Sequence, residues 1–171
     1  ITPEGWSIVK ITEPTFRPDV PGQATPSPNG NIWKILDLVN LPNHLKLLFV
    51  VQVIYSFLPG LPRPIFYIIG PPKAAKSSQT RALKRIVDPV ADIGGDGLAS
   101  LPANERGLAA IARDQYVVAL DNISVITPDQ WNTICRMVTG GTYSNCKLLS
   151  DGDTYSSGFD NVIIINGIEQ T

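Results

Sequence analysis

Three apolar runs divide the chain, and polar residues follow each of them. The runs cover Ile65–Ile69, Tyr116–Leu120 and Val162–Ile165. Short runs rich in valine and isoleucine predict strands that are buried on both faces. Amphipathic segments between the first two runs, from Lys76 to Asp88-Pro89 and from Asn104 to Arg113, predict helices, the second with an asparagine cap. Because helical crossovers join parallel strands, the pattern predicts an α/β fold with a mainly parallel sheet.

Further helices are predicted from their ends and their apolar content. The segments Ile32–Leu41 and Asn43–Leu58 have helical patterns. The apolar part of the second, Leu47–Leu58, is too short to span a bilayer and predicts a buried helix. Thr127-Pro128-Asp129 combines a cap residue with a proline and begins another helix, which Gly140-Gly141 ends.

The remaining segments are predicted to be extended or looped. Residues 1–31 contain six prolines, which exclude a helix and predict an extended arm with a short strand at Trp6–Ile11. Residues 32–171 form the predicted core, which we expect to be cut short at its C-terminal end. Residues 142–159 alternate between polar and apolar around Asp151-Gly152, which predicts a β-hairpin before the last strand. Residues 92–102 contain three glycines and predict a loop, either a cover for a ligand or a plain connection.

The turn after the first strand predicts a phosphate-binding loop. Its residues Gly70-Pro71-Pro72-Lys73-Ala74-Ala75-Lys76-Ser77 match G-x-x-x-x-G-K-[ST] except that Ala75 replaces the second glycine. In such a loop, backbone N–H groups and a helix N-terminus contact the phosphates, the lysine reaches the terminal phosphates, and the hydroxyl binds Mg²⁺. Lys76 and Ser77 would have these last two roles. Ala75 is unfavourable wherever the loop needs a positive φ, and an ordinary strand-to-helix turn that contains a lysine is the alternative.

Polar residues also follow the second and third strands. Asp121-Asn122 ends the second strand, and Asn166 ends the third. Because ligands bind at the carboxyl ends of strands in open α/β sheets, we expect these side chains to lie near the loop. Asp121 has the position of a Walker B acid, which holds Mg²⁺ opposite the hydroxyl of Ser77. Asn122 stands where many ATPases have a glutamate that polarises water, and a structural turn at Asn166-Gly167 is the alternative for Asn166.

Composition and charge change this picture little. The 171 residues suit one domain, a hydrophobic content of 43% is enough for a core, and a net charge of −1 gives no general attraction to nucleic acid. Positive charge is concentrated around the loop and the helix after it, at Lys73, Lys76, Arg81, Lys84 and Arg85. Two cysteines without CxxC spacing and a single histidine predict neither a disulfide scaffold nor a zinc site. No segment resembles a secretory leader, so the sequence predicts a cytoplasmic protein with no membrane partner.

Nearly the whole chain resembles the ATPase domain of helicase or primase-helicase proteins that phages and mobile elements encode. The resemblance rests on Gly70–Ser78 together with Asp88-Pro89, Leu101-Pro102, Ala119–Ser124, Cys135–Gly141 and Ile165–Glu169. That domain is similar to the AAA+ and superfamily-three helicase core. The resemblance therefore implies a P-loop NTPase fold in three layers, with residues 32–171 as the ATPase core, ATP and Mg²⁺ as cofactors, assembly into a homo-oligomeric ring, and movement on DNA.

The resemblance also implies a role for each residue that matches the family motifs. The ATP-binding residues would be Gly70, Pro71, Pro72, Lys73, Ala74, Ala75, Lys76, Ser77 and Ser78. Ser77 and Asp121 would hold Mg²⁺, while Asp121, Asn122 and the sensor residue Asn166 would act in catalysis. In the predicted hairpin, Lys147 would contact single-stranded DNA, with a solvated lysine as the alternative.

The chain departs from the family pattern in ways that leave hydrolysis open. Lys73 stands where the family usually has a glycine, and Ser78 replaces the usual threonine. One hypothesis is a helicase-type ATPase module; the alternative is a degenerate module that binds nucleotide or a partner protein with little or no hydrolysis. A small-molecule kinase is a weaker third hypothesis, because no acceptor-binding lid motif is visible. The candidates for an arginine finger, Arg106, Arg113 and Arg136, lie in or beside predicted helices, so we expect slow ATP turnover by this chain alone.

Overall fold

The structure, a computed structural model of the 171-residue chain, describes residues 27–89, 97–146 and 154–167. The helices in these ranges are a 3₁₀ helix at Ile32–Leu38, α1 Asn43–Ser56, α2 Lys76–Val87, α3 Glu105–Asp114 and α4 Pro128–Thr139. The strands are β1 Phe66–Ile69, β2 Leu98–Ala99, β3 Val117–Ile123, β4 Thr142–Cys146, β5 Thr154–Gly158 and β6 Val162–Gly167. Residues 1–26 of the predicted arm, including Trp6–Ile11, lie outside the described ranges.

Four strands form a parallel sheet in the order β1-β6-β3-β2. The two strands with the longest buried runs, β3 and β6, lie at its centre, with Val117 opposite Val162 and Leu120 opposite Ile165. Parallel neighbours need crossover connections, which α2, α3 and α4 supply along the chain. The predicted α/β fold with a mainly parallel sheet is therefore confirmed.

Helices cover both faces of this sheet because successive residues of its central strands point to opposite sides. Val117 and Ala119 pack with the 3₁₀ helix, α1 and α2, whereas Val118 and Leu120 pack with α3 and α4. All four of these β3 residues are fully buried. The sheet is thus the middle of three layers, and ligands bind at the carboxyl-terminal edge of such sheets.

Local sequence signals explain where the helices of one layer begin and end. The Oδ1 atom of Asn104 accepts the N–H of Gly107 at 2.9 Å and caps α3. Thr127 and Gln130 form a capping box at the start of α4, and Gly140, with a φ of 79°, ends that helix in the left-handed region. These predicted boundaries are confirmed.

The predictions from the hydrophobic pattern were wrong for three other segments. Residues 92–102 were expected to be a loop, but β2 at Leu98–Ala99 pairs with β3 within it. The second strand was expected to end at Leu120, but β3 continues to Ile123. The segment Ile32–Leu41 forms a 3₁₀ helix that ends at Leu38. In each segment, pairing with another strand or a short turn decides where the strand or helix begins or ends. The two or three residues involved are too few to show a hydrophobic periodicity from which this could be predicted.

Helix α1 was predicted to be buried, but only one side of it is. Phe49, Val50 and Val53 pack against the sheet, whereas Leu47 and Leu48 are 63% and 61% exposed. The helix is apolar all round, so its sequence could not distinguish the covered side from the open one. No helix among the described residues is long and apolar enough to cross a membrane.

The segment before the last strand pairs as predicted. Strands β4 and β5 are antiparallel, with Thr142 opposite Gly158 and Cys146 opposite Thr154. The turn residues Asp151-Gly152 and the proposed DNA contact Lys147 lie outside the described residues.

Candidate functional site

The loop that follows β1 lines a cavity of about 540 Å³ at the carboxyl-terminal edge of the sheet. The residues that line it are Pro72, Lys73, Ala74, Ala75, Lys76, Ser77, Ser78, Asp121, Asn122 and Asn166. Every one of them was predicted from the sequence as a site residue. Gly70 and Pro71, which were also predicted, line a neighbouring groove instead. The fold therefore brings the three polar strand ends to one place.

Two residues of the loop adopt the left-handed backbone conformation that favours glycine. Lys73 has a φ of 65° and Ala75 a φ of 58°. Each costs about 1–2 kcal/mol for a residue with a side chain. Ala75 replaces the second glycine of the loop pattern, and Lys73 stands where the helicase-type ATPase domains that the chain resembles usually have a glycine. The expected energetic penalty of a positive φ is therefore present at Ala75, and the same penalty is present at Lys73.

Helix α2 begins directly behind the loop without a side-chain cap. Its N-cap residue is Ala75, which has no hydrogen-bonding side chain. The first backbone N–H groups of any α-helix have no partner within the helix, and the helix dipole makes this end positive. The start of α2 thus offers backbone donors to an anion in the cavity.

The side chain of Lys76 spans the loop. Its Nζ atom donates to the carbonyl oxygens of Gly70 at 2.9 Å and Pro71 at 2.8 Å. The ammonium therefore lies over the loop and stabilises its shape. It is half-buried and lies beside the cavity, within reach of an anionic ligand that could replace the two carbonyls.

Ser77 and Asp121 meet across the cavity. The Ser77 Oγ atom donates to the Asp121 Oδ1 atom at 2.8 Å, which joins the start of α2 to β3 over 44 positions in the sequence. A hydroxyl next to a carboxylate is a donor set that Mg²⁺ uses when phosphate oxygens and water complete its shell. The described residues contain no group of three or more His, Cys, Asp and Glu side chains that could hold a metal. The pair would supply two of the oxygen ligands that a magnesium ion needs.

A bulge in β3 displaces Asp121 and Asn122 from the regular ladder. Leu120 lies opposite Ile165, but Ile123 lies opposite Gly167, so two residues of β3 face one residue of β6. Asn122 has a φ of 58°, which asparagine tolerates better than most residues. The sequence did not predict this bulge.

Asn166 holds the bulge in place. Its Oδ1 atom accepts the N–H of Asn122 at 2.9 Å, and its Nδ2 atom donates to the Oγ1 atom of Thr80 at 3.0 Å. The Thr80 hydroxyl donates in turn to the carbonyl of Lys76 at 3.0 Å. Asn166 lines the cavity but is 1% exposed, and both atoms of its amide have protein partners. Asn166 and Gly167 lie in β6 rather than in a turn, but the contacts of the Asn166 amide agree with the structural role that was its alternative, and its role as a sensor stays a prediction.

Thr80 and Lys84 are two structural residues of this region that the sequence analysis missed. Lys84 was counted among the charges around the loop, but it is 1% exposed and lies at the other end of α2. Its Nζ atom donates to Asp88 at 2.9 Å and to the carbonyl of Val117 at 2.6 Å. Burial lowers the pKa of Lys84, and the carboxylate of Asp88 offsets part of this effect. Their signal would have been a polar residue on the apolar face of an amphipathic helix.

The three arginines considered as fingers lie elsewhere. Arg136 pairs with Glu105, and both line a separate polar cavity between α3 and α4. The Nε atom of Arg113 lies 3.4 Å from the Oδ1 atom of Asp114. In the described part of the chain, neither these two nor Arg106 line the loop cavity.

An apolar groove of about 560 Å³ adjoins the loop cavity. It lies between α1 and β1 and includes Leu41, Leu45 and Tyr67. Ala74 and Lys76 line both the groove and the loop cavity, so the two spaces are adjacent. Together they form an apolar compartment beside a second compartment, which is lined by lysine side chains and by the backbone N–H groups at the start of α2.

Comparison with known proteins gives one family. A family model described as actinomycete integrative conjugative element replication protein matches residues 32–171. A search of the curated proteins finds no match. The matched range includes every described residue of the loop cavity.

Proposed function

The chain belongs to the actinomycete integrative conjugative element replication proteins, and from this premise we propose that its loop cavity binds a nucleoside triphosphate with Mg²⁺. The membership indicates a role in the replication of a mobile element. ATP is the nucleotide that the resemblance to helicase and primase-helicase ATPase domains implies. The proposed function is therefore that of an ATP-binding module, of helicase type, in DNA replication.

The observation that carries this proposal is the contact between Ser77 and Asp121. Their oxygen atoms lie 2.8 Å apart, directly behind a loop that ends at the uncapped N-terminus of α2. A nucleotide with its metal needs an anion site next to two oxygen ligands, and this arrangement has both. When bound, the ion would offset phosphate charge and orient the phosphates, while Ser77 and Asp121 hold it.

The neighbouring groove supports a nucleotide rather than a simple phosphate. A nucleobase is flat and apolar on its faces, and the groove between α1 and β1 is lined mainly by apolar side chains. The adjoining loop cavity would take the phosphates. One ligand that is apolar at one end and anionic at the other suits both compartments.

Lys76→Ala tests the proposal directly. We expect titration calorimetry with Mg-ATP to show an affinity at least about tenfold lower than that of the wild type, because a charge-assisted hydrogen bond to phosphate is lost. Lys34→Ala, which removes an exposed lysine outside the cavity, is the matched control and should bind as the wild type does. Circular dichroism should show that both variants are folded. Equal affinities for all three proteins would overturn the assignment of the loop.

A degenerate module that binds nucleotide without turning it over is the second candidate. Specific observations favour it: Asn122 replaces a water-polarising glutamate, and its backbone N–H is held by the amide of Asn166. Lys73 and Ala75 also strain the loop. We expect phosphate release by this chain at saturating Mg-ATP to stay below about 1 s⁻¹, the lower end of typical enzyme rates. Faster release would identify a catalytically complete ATPase.

The proposed partners beyond the nucleotide are single-stranded DNA and further copies of the chain in a ring. Both come from the resemblance. Lys147, the proposed DNA contact, lies outside the described residues, so a filter-binding measurement with single-stranded DNA on Lys147→Ala is the test for it. Unchanged DNA binding by that variant would remove Lys147 from the proposal.

A further inference from the structure

Lys73 occupies a backbone position that is unfavourable for it. Its φ of 65° lies in the region that glycine adopts without strain. A lysine that is kept where glycine would be more stable calls for a reason outside the folding of the loop. The reason must lie in its side chain, because the backbone alone would favour glycine.

The side chain of Lys73 does not stabilise the loop through polar contacts with the described residues. It forms no hydrogen bond or ion pair with them, in contrast to Lys76 and Lys84, whose ammonium groups each contact carbonyl oxygens. Lys73 nevertheless lines the loop cavity, which Ser77 and Asp121 also line. Its charge is therefore available to a ligand in that cavity.

The two compartments indicate which part of a ligand Lys73 would contact. Lys76 lines both the loop cavity and the apolar groove, so it lies between them. Lys73 lines the loop cavity but not the groove. With the nucleobase in the groove, the phosphate chain would begin beside Lys76, and the terminal phosphate, which the long side chain of Lys76 is also expected to reach, would lie farthest from the groove. Lys73 belongs to that far compartment.

We infer that Lys73 is a second phosphate-binding residue that contacts the terminal phosphate and makes the site prefer nucleoside triphosphates over diphosphates. This inference rests on the proposed function and deepens it. An ammonium group is a compact charge that binds phosphate oxygens well. The left-handed strain at Lys73 is then the structural cost of placing a second cation in the loop.

Four variants separate the charge of this residue from its backbone. Lys73→Met removes the charge and keeps the strain, whereas Lys73→Gly removes both. Lys73→Arg keeps the charge, and Lys34→Met removes an exposed lysine outside the cavity as the matched control. The readouts are the affinities for Mg-ATP and Mg-ADP by titration calorimetry and the midpoint of thermal unfolding without nucleotide.

We expect Lys73→Met and Lys73→Gly to bind Mg-ATP about tenfold more weakly and to bind Mg-ADP within about twofold of the wild type. Lys73→Arg and Lys34→Met should keep the wild-type ratio of the two affinities. Lys73→Gly alone should also raise the unfolding midpoint, by about 2 °C, since it relieves the left-handed strain. A gain in stability with a loss of triphosphate preference is a combination that a purely structural residue would not give.

An unchanged ratio of ATP to ADP affinity in Lys73→Met and Lys73→Gly would overturn the inference. If Lys76→Ala lost affinity in the same experiments, the proposed nucleotide site would stand and the role of Lys73 alone would fail. If the wild type bound neither nucleotide, the proposed function and this inference would fail together. An equal loss for ATP and ADP would also contradict it, because a contact to the terminal phosphate must discriminate between them.

Discussion

Replacing Ala75 by glycine should stabilise the protein, although the same change destabilises most structured positions. Ala75 has a φ of 58° and a ψ of 22°, directly before α2. Relief of the left-handed conformation is worth about 1–2 kcal/mol. Glycine adds about 0.4–1 kcal/mol of chain entropy to the unfolded state, which offsets part of this gain. With the middle of each range, the net increase in the free energy of unfolding should be about 0.8 kcal/mol.

Urea unfolding followed by circular dichroism measures this difference in the absence of nucleotide. Ala110→Gly is the matched control, because Ala110 is an exposed residue inside α3. There the same chemical change should cost about 1 kcal/mol. Gly140→Ala is the reverse test, since Gly140 has a φ of 79° and, in the described part of the chain, an added Cβ would meet only the carbonyl oxygen of Phe159, at 3.9 Å. It should destabilise the protein through the backbone conformation rather than through a clash.

Ala75→Gly and Ala110→Gly should therefore change the free energy of unfolding in opposite directions. If Ala75→Gly lowered the free energy of unfolding by as much as Ala110→Gly does, residue 75 would not be left-handed in the folded protein. The explanation of the loop departures as backbone strain would then be wrong, and with it the argument that the strain at Lys73 has a functional reason.

Three further changes test other parts of the structure. Asp121→Asn should weaken nucleotide binding with Mg²⁺ more than binding with EDTA, because the carboxylate acts through the ion; equal losses would make Asp121 structural. Gly167→Ala should cost about 1–3 kcal/mol in urea unfolding, because its Cβ would lie 2.3 Å from the carbonyl oxygen of Ile123. The control Gly158→Ala, where the added Cβ meets nothing within 4 Å among the described residues, should be tolerated. Burial holds the pKa of Lys84 in the folded protein below its ordinary 10.5. At pH values between the folded-state and the ordinary pKa, the unfolded state binds more protons than the folded state. The free energy of unfolding of the wild type therefore increases as the pH rises through that window. Lys84→Met should lack this gain, and parallel pH profiles of unfolding for the two proteins would contradict the assignment.

Much of the candidate site was predictable because its signals are local. The loop, the strand ends at Asp121 and Asn166, and the caps at Asn104 and Thr127 each depend on a few neighbouring residues. The family membership covers the same part of the chain as these motifs. Local patterns were less useful for α1, whose apolar residues on every side do not reveal which side packs on the sheet.

The parts that were missed depend on residues far apart in the sequence. Strand β2 exists because two residues pair with β3, and the bulge at Asn122 exists because Asn166 fixes its N–H from a neighbouring strand. Lys84 is buried because its ammonium meets the carbonyl of Val117, 33 positions away. No periodicity or spacing within one segment contains this information.

The sequence by itself determined where the central strands lie and where α3 and α4 begin and end, and it predicted which side chains could take part in phosphate and metal chemistry, because these follow from local conformation and residue type. The tertiary structure decided what those side chains do when they meet. It placed the Ser77 hydroxyl against the Asp121 carboxylate, engaged the Asn166 amide with protein partners, and put Lys73 and Ala75 in strained conformations. The physical reason is that hydrogen bonds and strain depend on distances and dihedral angles, which only the packing of the sheet and its helices sets.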